Sequence, residues 1–525
     1  MLDITSSFTS ICLTFCIFLL IFRNLPSRRS RFLPLPPGPK RLPILGNALD
    51  IPLSKQWLTF QRWAEQYGDI TYLNLLGQSV IVLNTAQATS DLLDKRSAIY
   101  SDRLKSTVVS LIGWDWNVAL MGYGTKWRQI RRAFHEHFHG GVVRQYQSAQ
   151  LSGARNFLTR LLANPDNFVQ HLRFDLGATI LQVAYGIKAK DADDEYRHQP
   201  SGHTWNIVIG ERAVEGPTKA LVLGALWVEF IPALRHLPPW WPGASYQRKA
   251  VTWRQEATAL RHEPFEKAMS DFRNGAGVWS LASKFMAREH GVGDGAEKEE
   301  LAKNVAAVTY GGAHRFFSTL QTFFLAMTLY PEVQRKAQAE LEVVIGPHRL
   351  PEFEDGKKLP YIHAIIKECL RWQNVFTLGL PHRLMEEDEY KGYRIPKGSI
   401  VLGNIWAMSR NAQTFPNPEA FNPDRYFDDD GTWNTDVLDP TAFAFGFGRR
   451  VCPGRHFAIA SIYIYAASIL HVYNISPKRD ASGKPMAIQP DMVSGVVTYP
   501  KKFKCDITPR STDAETLIRS CEVYG

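Results

Sequence analysis

The stretch Phe445-Gly446-Phe447-Gly448-Arg449-Arg450-Val451-Cys452-Pro453-Gly454 constrains this chain more than any other, because an apolar helical pattern follows it at once, from Arg455 through Leu470. A cysteine held in a glycine-rich turn ahead of a helix meets backbone N–H groups and the positive end of the helix dipole, and both favour thiolate over thiol. A thiolate is the form that ligates iron. Arg450 adds a permanent cation able to pair with a carboxylate on a bound group, and the glycines let a flat group lie close to the backbone. The plainer reading of one cysteine in a turn is an inert small hydrophobe. Six cysteines in 525 residues (Cys12, Cys16, Cys369, Cys452, Cys505 and Cys521) contain no C-x-x-C pair, so neither a disulfide framework nor a zinc or dithiol motif is expected.

The other end of the chain is read from its charges. Ile4 to Phe22 is an uncharged run rich in Leu, Ile and Phe, long enough to cross a hydrocarbon core of roughly 30 Å. Asp3 precedes it and arginines follow it, which is the reverse of a cleaved signal peptide. The positive-inside rule then leaves everything from Arg23 onward in the cytoplasm. The net charge of +10 is concentrated there: Arg23, Arg28, Arg29, Arg31, Lys40 and Arg41 supply six positive charges, and after residue 41 the balance is 55 − 50 = +5. A nucleic-acid-binding surface is therefore not the source of the basic character, and none is expected. Residues 1–22 are read as a membrane anchor, and residues 23–41 as a basic hinge stiffened by Leu35-Pro36-Pro37-Gly38-Pro39. Residues 42–525 are read as one domain, mainly α with minor β sheet. With 45% hydrophobic and 21% charged residues it is an ordinary globular composition. Ile70 to Leu75 and Val80 to Leu83 read as a hairpin across Gly77-Gln78, and His290 to Glu300 as an exposed loop.

The cysteine segment satisfies F-x-x-G-x-R-x-C-x-G at every fixed position, and the chain on these residues resembles the cytochrome P-450 family of haem-thiolate enzymes. Glu368 and Arg371 match the family's E-x-x-R, and Arg425, in Phe421-Asn422-Pro423-Asp424-Arg425-Tyr426, matches the arginine expected to join them in a buried ion network. Asp424 stands where the family has glutamate. Trp127 and Arg131 fit W-x-x-x-R, and Pro381-His382-Arg383 follows E-x-x-R at the family's distance. The resemblance implies a cytochrome P-450 fold binding haem b (iron protoporphyrin IX), with Cys452 as axial ligand. Trp127, Arg131, His382, Arg450, Phe445, Gly448 and Gly454 would contact the haem. A thiolate opposite the open iron position favours O–O cleavage. The implied activity is a monooxygenase inserting one atom of O2 into a lipophilic small molecule, in fungal secondary-metabolite biosynthesis or xenobiotic oxidation. No flavin or nicotinamide domain is visible, so the expected electron donor is NADPH-cytochrome P-450 reductase, with cytochrome b5 as a second donor. The pattern is most like fungal members anchored in the endoplasmic reticulum, with a single pass through that bilayer.

One motif departs from the family. Where the central helix normally carries A-G-x-[DE]-T-[TS], this chain has Gly311-Gly312-Ala313-His314-Arg315-Phe316, so His314 replaces the acid and Arg315 the alcohol. Either His314 shuttles protons in place of the acid, or Arg315 pairs with a carboxylate or peroxide in peroxygenase, isomerase or dehydratase chemistry that needs no relay, or oxygen chemistry is uncoupled. Substrate-lining candidates carried over by position are Trp114, Trp116, Val118, Ala313, Phe376 and Leu378, an apolar set. Leu221 to Leu234, followed by Pro238-Pro239-Trp240-Trp241-Pro242, reads either as a core helix or as a lid dipping into the membrane interface. His135 and His139 share a helical face with His137 close by, a spacing more consistent with a solvated helix end than with a metal site.

Overall fold

The computed structural model describes residues 33–189, 203–224, 227–238, 240, 245–287, 295–312 and 314–521, apart from the side chains of 203–209, 211, 245, 314 and 315. The expected anchor (1–22), most of the basic stretch of the hinge, Ala313, and Trp241-Pro242 lie outside the described residues. Hydrophobic periodicity is realised in eleven helices of twelve residues or more: α1 Gln56–Tyr67, α2 Thr125–Phe138, α3 Gln147–Ala163, α4 Phe168–Tyr185, α5 His203–Ala220, α6 Ser245–Arg273, α7 Gly295–Gly311, α8 His314–Leu329, α9 Pro331–Ile345, α10 Pro360–Trp372 and α11 Arg455–Val472. Among the described residues no helix is long and apolar enough to cross a membrane.

Helix α11 explains the arrangement around it. Apolar side chains surround it on every side, and such a helix is stable only when enclosed. Every residue from Ser461 to Val472 is buried, against α3, α8, α9 and α10. The principal sheet has strands β1 Ile70–Leu75, β2 Gln78–Leu83, β3 His382–Arg383 and β4 Ile400–Gly403, in the order β1-β2-β4-β3. β2 pairs parallel with β4, Val80 opposite Ile400 through Leu83 opposite Gly403. Both strands are buried there, which is why they read as continuous Val, Ile and Leu.

Three expectations change. The hairpin turn is Leu76-Gly77, with φ of 51° and 87°, and β2 begins at Gln78. Two left-handed residues match the twist of paired strands, and the Asn74 side chain secures them by accepting the Gly77 N–H at 2.9 Å. The stretch read as a loop to Glu300 is already helical from Gly295, because Arg261 and Asn304 engage Glu300 and draw that turn onto α6 and α7. Leu221–Leu234 is not one helix: Trp227–Glu229 and Pro232–His236 are short 3₁₀ turns, and Pro232 begins the second.

The ion network expected from E-x-x-R forms. Glu368 and Arg371 are both fully buried, joined by Nε to Oε2 at 2.9 Å and Nη2 to Oε1 at 2.7 Å. Arg425 Nε donates to Glu368 Oε1 at 3.2 Å, the Tyr426 hydroxyl to Oε2 at 3.1 Å and the Asn422 N–H to Oε1 at 2.9 Å. Arg371 spends its remaining donors on the carbonyls of Ser409, Pro418 and Ala420. Removing one member leaves buried charge without a partner. Glu368→Ala is expected to cost about 3–5 kcal/mol of folding stability, measured by denaturant unfolding of the haem-loaded protein. A loss below about 1 kcal/mol, the worth of an exposed pair, would show that the network is dispensable.

Candidate functional site

The loop carrying Cys452 is built before it meets anything else. The Cys452 N–H donates to the Phe445 carbonyl at 2.7 Å, closing the segment on itself just ahead of α11. Gly448 has a φ of 52°, and a Cβ there would lie 2.1 Å from the Leu93 carbonyl oxygen. Phe447 is buried against β4, where a Cβ on Gly403 would lie 2.7 Å from its ring. These contacts clamp the loop between two elements distant in sequence.

Cys452 faces a cavity of about 250 Å³. Trp127 and Arg131 of α2, Gly311 and Gly312 at the end of α7, Phe376, His382 and Arg450 line the same space, with Phe445 and Gly454 from the cysteine loop. A Cβ on Gly454 would meet nothing within 4 Å, so a flat face is open beside the thiol. Gly448 does not line the cavity, because its glycine serves the close approach to Leu93. Of the substrate candidates, Trp114, Val118 and Phe376 line it. Trp116 is stacked behind Trp114, ring centroids 5.3 Å apart, and gives its indole N–H to Gly113. Leu378 faces a neighbouring cavity instead.

Among the described residues, Arg131 and Arg450 have no hydrogen-bonded carboxylate. Arg450 donates to the carbonyls of Ser101 (2.7 Å) and Val118 (3.1 Å) and stacks over Trp127 at 4.5 Å, while its Nη2 has no partner among the described residues. Burial pushes the Arg450 pKa down to about 10, with Asp102 opposing and Arg131 adding to the shift. Arg131 is shifted down as well, again mainly by burial. Trp127 is buried and its indole N–H makes no hydrogen bond within the described residues. Two guanidinium groups and an indole donor therefore converge on one wall of a mainly apolar cavity with a cysteine in it, and the two propionates of a bound haem would supply negative charge there. The residues present fit that group.

His382 has a further commitment. Its Nδ1 donates to the Tyr100 carbonyl at 2.8 Å, and burial, reinforced by Arg103 and Arg450, holds its pKa well below the usual histidine range. A neutral ring with a proton on Nδ1 offers the cavity a lone pair at Nε2, so His382 ties β3 to the segment after Tyr100 as well as lining the site.

Helices α7 and α8 meet where the sequence departs from the family. α7 ends at Gly311, the Gly312 N–H turns back to the carbonyls of Val308 (3.0 Å) and Thr309 (3.2 Å), and α8 starts at His314. The backbone of His314 and Arg315 forms the first turn of α8, and their side chains lie outside the described residues. Sequence reasoning missed Arg103, whose guanidinium holds the carbonyls of Ala119, Leu380 and Pro381 at the edge of the cavity. It also missed Val214, Pro217 and Thr218 of α5, which roof it. Only Pro217, inside a helical pattern, marked that helix as unusual. Of His135, His137 and His139, the first is exposed and the second buried, and the His135 and His139 rings lie 5.2 Å apart.

Residues 36–507 match the family model described as Cytochrome P450. The chain belongs to the cytochrome P-450 family. It is 39% identical to a cytochrome P-450 monooxygenase of Coprinopsis cinerea over 93% of this chain and 92% of that one. It is 40% identical to a cytochrome P-450 monooxygenase of Rhodocybe pseudopiperita (93% and 92%), and 38% identical to the tryptamine 4-monooxygenase of Psilocybe cyanescens (96% and 97%). The cytochrome P-450 assignment makes the chain a haem-thiolate monooxygenase, an oxidoreductase with haem as cofactor, and the relatives favour this over the peroxygenase, isomerase or dehydratase alternative. Like other members it needs a redox partner and takes lipophilic substrates. Trp127→Phe keeps an aromatic ring toward Tyr123 and Arg450 and removes the N–H together with the pyrrole half of the indole. It is expected to raise the rate of haem transfer to apomyoglobin about tenfold, the worth of one hydrogen bond to a charged group. An unchanged rate would show that Trp127 does not hold a propionate.

Proposed function

We propose that this chain oxidises a lipophilic small molecule of fungal secondary metabolism or a xenobiotic, at the endoplasmic reticulum membrane, with electrons from NADPH-cytochrome P-450 reductase or cytochrome b5. The observation that carries the reading is the single cavity in which Cys452 stands opposite an apolar lining, with Trp127, Arg131 and Arg450 gathered on one wall. Haem, when bound, supplies activation of molecular oxygen at its iron. Cys452 would hold the haem iron, while Trp127, Arg131 and Arg450 would hold the propionates. Trp114, Val118 and Phe376 exclude water and orient the substrate by shape. Gly311 and Gly312 line the cavity from the central helix, close in sequence to the residue that replaces the family's acid. His314 is the proton donor in this reading, because a histidine releases and regains a proton near neutral pH. Arg315 pairs with a carboxylate on substrate or haem, since an unpaired guanidinium beside haem is costly.

Residues 1–22 serve as the anchor, and an apolar surface supports contact with the bilayer beyond it. Leu42, Ile44, Leu49, Leu53 and Leu58 are exposed, as are Trp227, Ile231 and Trp240. Gln56 donates to the Leu223 carbonyl at 2.6 Å and joins the two segments that carry them. Exposed leucines with tryptophans are the composition of a membrane-interface surface.

Metabolite mass spectrometry under 18O2, in a fungal host co-expressing the reductase, is expected to show a product carrying the label that disappears with Cys452→Ala. An unlabelled product would instead indicate isomerase or dehydratase chemistry. His314→Leu is expected to lower product formation about 10²-fold, as for loss of a general acid, while NADPH consumption is diverted to hydrogen peroxide. Unchanged product per NADPH would remove His314 from the proton path.

A further inference from the structure

A second cavity of about 140 Å³ adjoins the first, with Arg103, Leu120, Leu221, Gly379, Leu380 and Val496 as their common wall. Glu229 is the only carboxylate lining either cavity among the described residues. One of its oxygens is taken up in holding the backbone, for Oε2 accepts the Ser106 hydroxyl at 2.7 Å and the Val108 N–H at 3.2 Å and so caps the short helix Thr107–Leu111. The other, Oε1, makes no hydrogen bond among the described residues and is not sealed from the cavity. Gln56, on the same cavity, gives both amide protons to the carbonyls of Pro52 and Leu223 and so presents its Oε1 as a further acceptor. The cation in the wall, Arg103, points donors at the carbonyls of Ala119, Leu380 and Pro381. The rest of the lining is mainly apolar, with Leu221, Val222, Leu223 and Phe230. A mainly apolar recess with a carboxylate oxygen that has no partner among the described residues is complementary to a cation.

We propose that this second cavity is a subsite for a positively charged nitrogen on the substrate, held by Glu229, while the substrate's apolar body passes the common wall into the haem cavity. The inference rests on the reading of the first cavity as the site of oxidation. It deepens that reading by naming the substrate class, lipophilic amines protonated at neutral pH. It also separates the two ends of the molecule: the ammonium group is kept off the iron, and the carbon presented for oxidation lies at the far end from the nitrogen. Glu229 lies between Val228 and Phe230 in the segment that carries the exposed Trp227 and Ile231, so an amphiphile leaving a bilayer surface meets the carboxylate on its way in.

The test uses haem-loaded protein and two probes of the same shape. One is 4-phenylbutyl-trimethylammonium, which has no lone pair to place on iron. The other is 2-methyl-6-phenylhexan-2-ol, its uncharged counterpart. Calorimetric titration is expected to show the cation binding about tenfold tighter, equivalent to about 1.4 kcal/mol. Glu229→Gln, which keeps an oxygen for the Thr107–Leu111 cap, is expected to abolish that preference and leave the alcohol's affinity unchanged. Ser106→Ala, which disturbs the cap and spares the charge, is expected to retain it. Equal binding of the two probes by the parent protein, or a preference that survives Glu229→Gln, would overturn the proposal. The carbon monoxide difference spectrum of the same samples reports separately on Cys452. Absence of the thiolate-type band would sink the haem-thiolate reading, whereas the calorimetric preference, which needs no iron chemistry, would still decide the subsite.

Discussion

The buried carboxylate of Glu368 is the contact on which the rest of the structure leans. Two guanidinium groups, a phenol and a backbone N–H converge on its two oxygens, and Arg371 extends the set to three carbonyls of the 409–420 segment. A charge with no access to water is tolerated only when every lone pair is engaged, so the network admits one arrangement of α10 and the segment from Ser409 to Tyr426. α10 in turn packs on α11, and α11 begins shortly after Cys452. A polar cluster outside the active cavity thereby fixes the height and direction of the thiol within it.

At the cavity the balance runs the other way. Arg131 and Arg450 are desolvated without a carboxylate bonded to them, and the indole N–H of Trp127 is left over beside them. Such a surplus weakens the empty protein and strengthens its hold on an anionic ligand, since a group that binds only the folded state adds its binding free energy to stability. Haem held by these three residues would couple its binding to folding. Glu229 shows the opposite imbalance in the adjoining cavity, a carboxylate with one oxygen unspent. The two cavities thus ask for opposite charges.

Local chemistry was legible wherever it depended on neighbours in the chain. The helix after Cys452, the E-x-x-R pair, the W-x-x-x-R face and the hairpin around Gly77 could all be read from spacing, composition and family pattern. The departures from expectation share one cause. Trp116 and Leu378 are apolar and near the site in sequence, and which of two stacked indoles or two adjoining cavities a side chain faces depends on packing with distant elements. Gly448 lies against the carbonyl of Leu93, far earlier in the chain, which leaves no space for a side chain. The turn from Gly295 became helix once Arg261 of α6 supplied a partner for Glu300.

By itself the sequence determined the family, the cysteine loop with Arg450, the buried ion pair and the departure at His314 and Arg315, because each is a covalent spacing or a residue type that chemistry requires at one place. Only the tertiary structure decided that Arg450 and Trp127 stack, that His382 is committed to Tyr100, that Arg103 guards the junction of two cavities and that Glu229 opens into one of them. Those facts join residues far apart in the chain. Their energies come from desolvation and shared hydrogen bonds, and neither exists until the chain has folded.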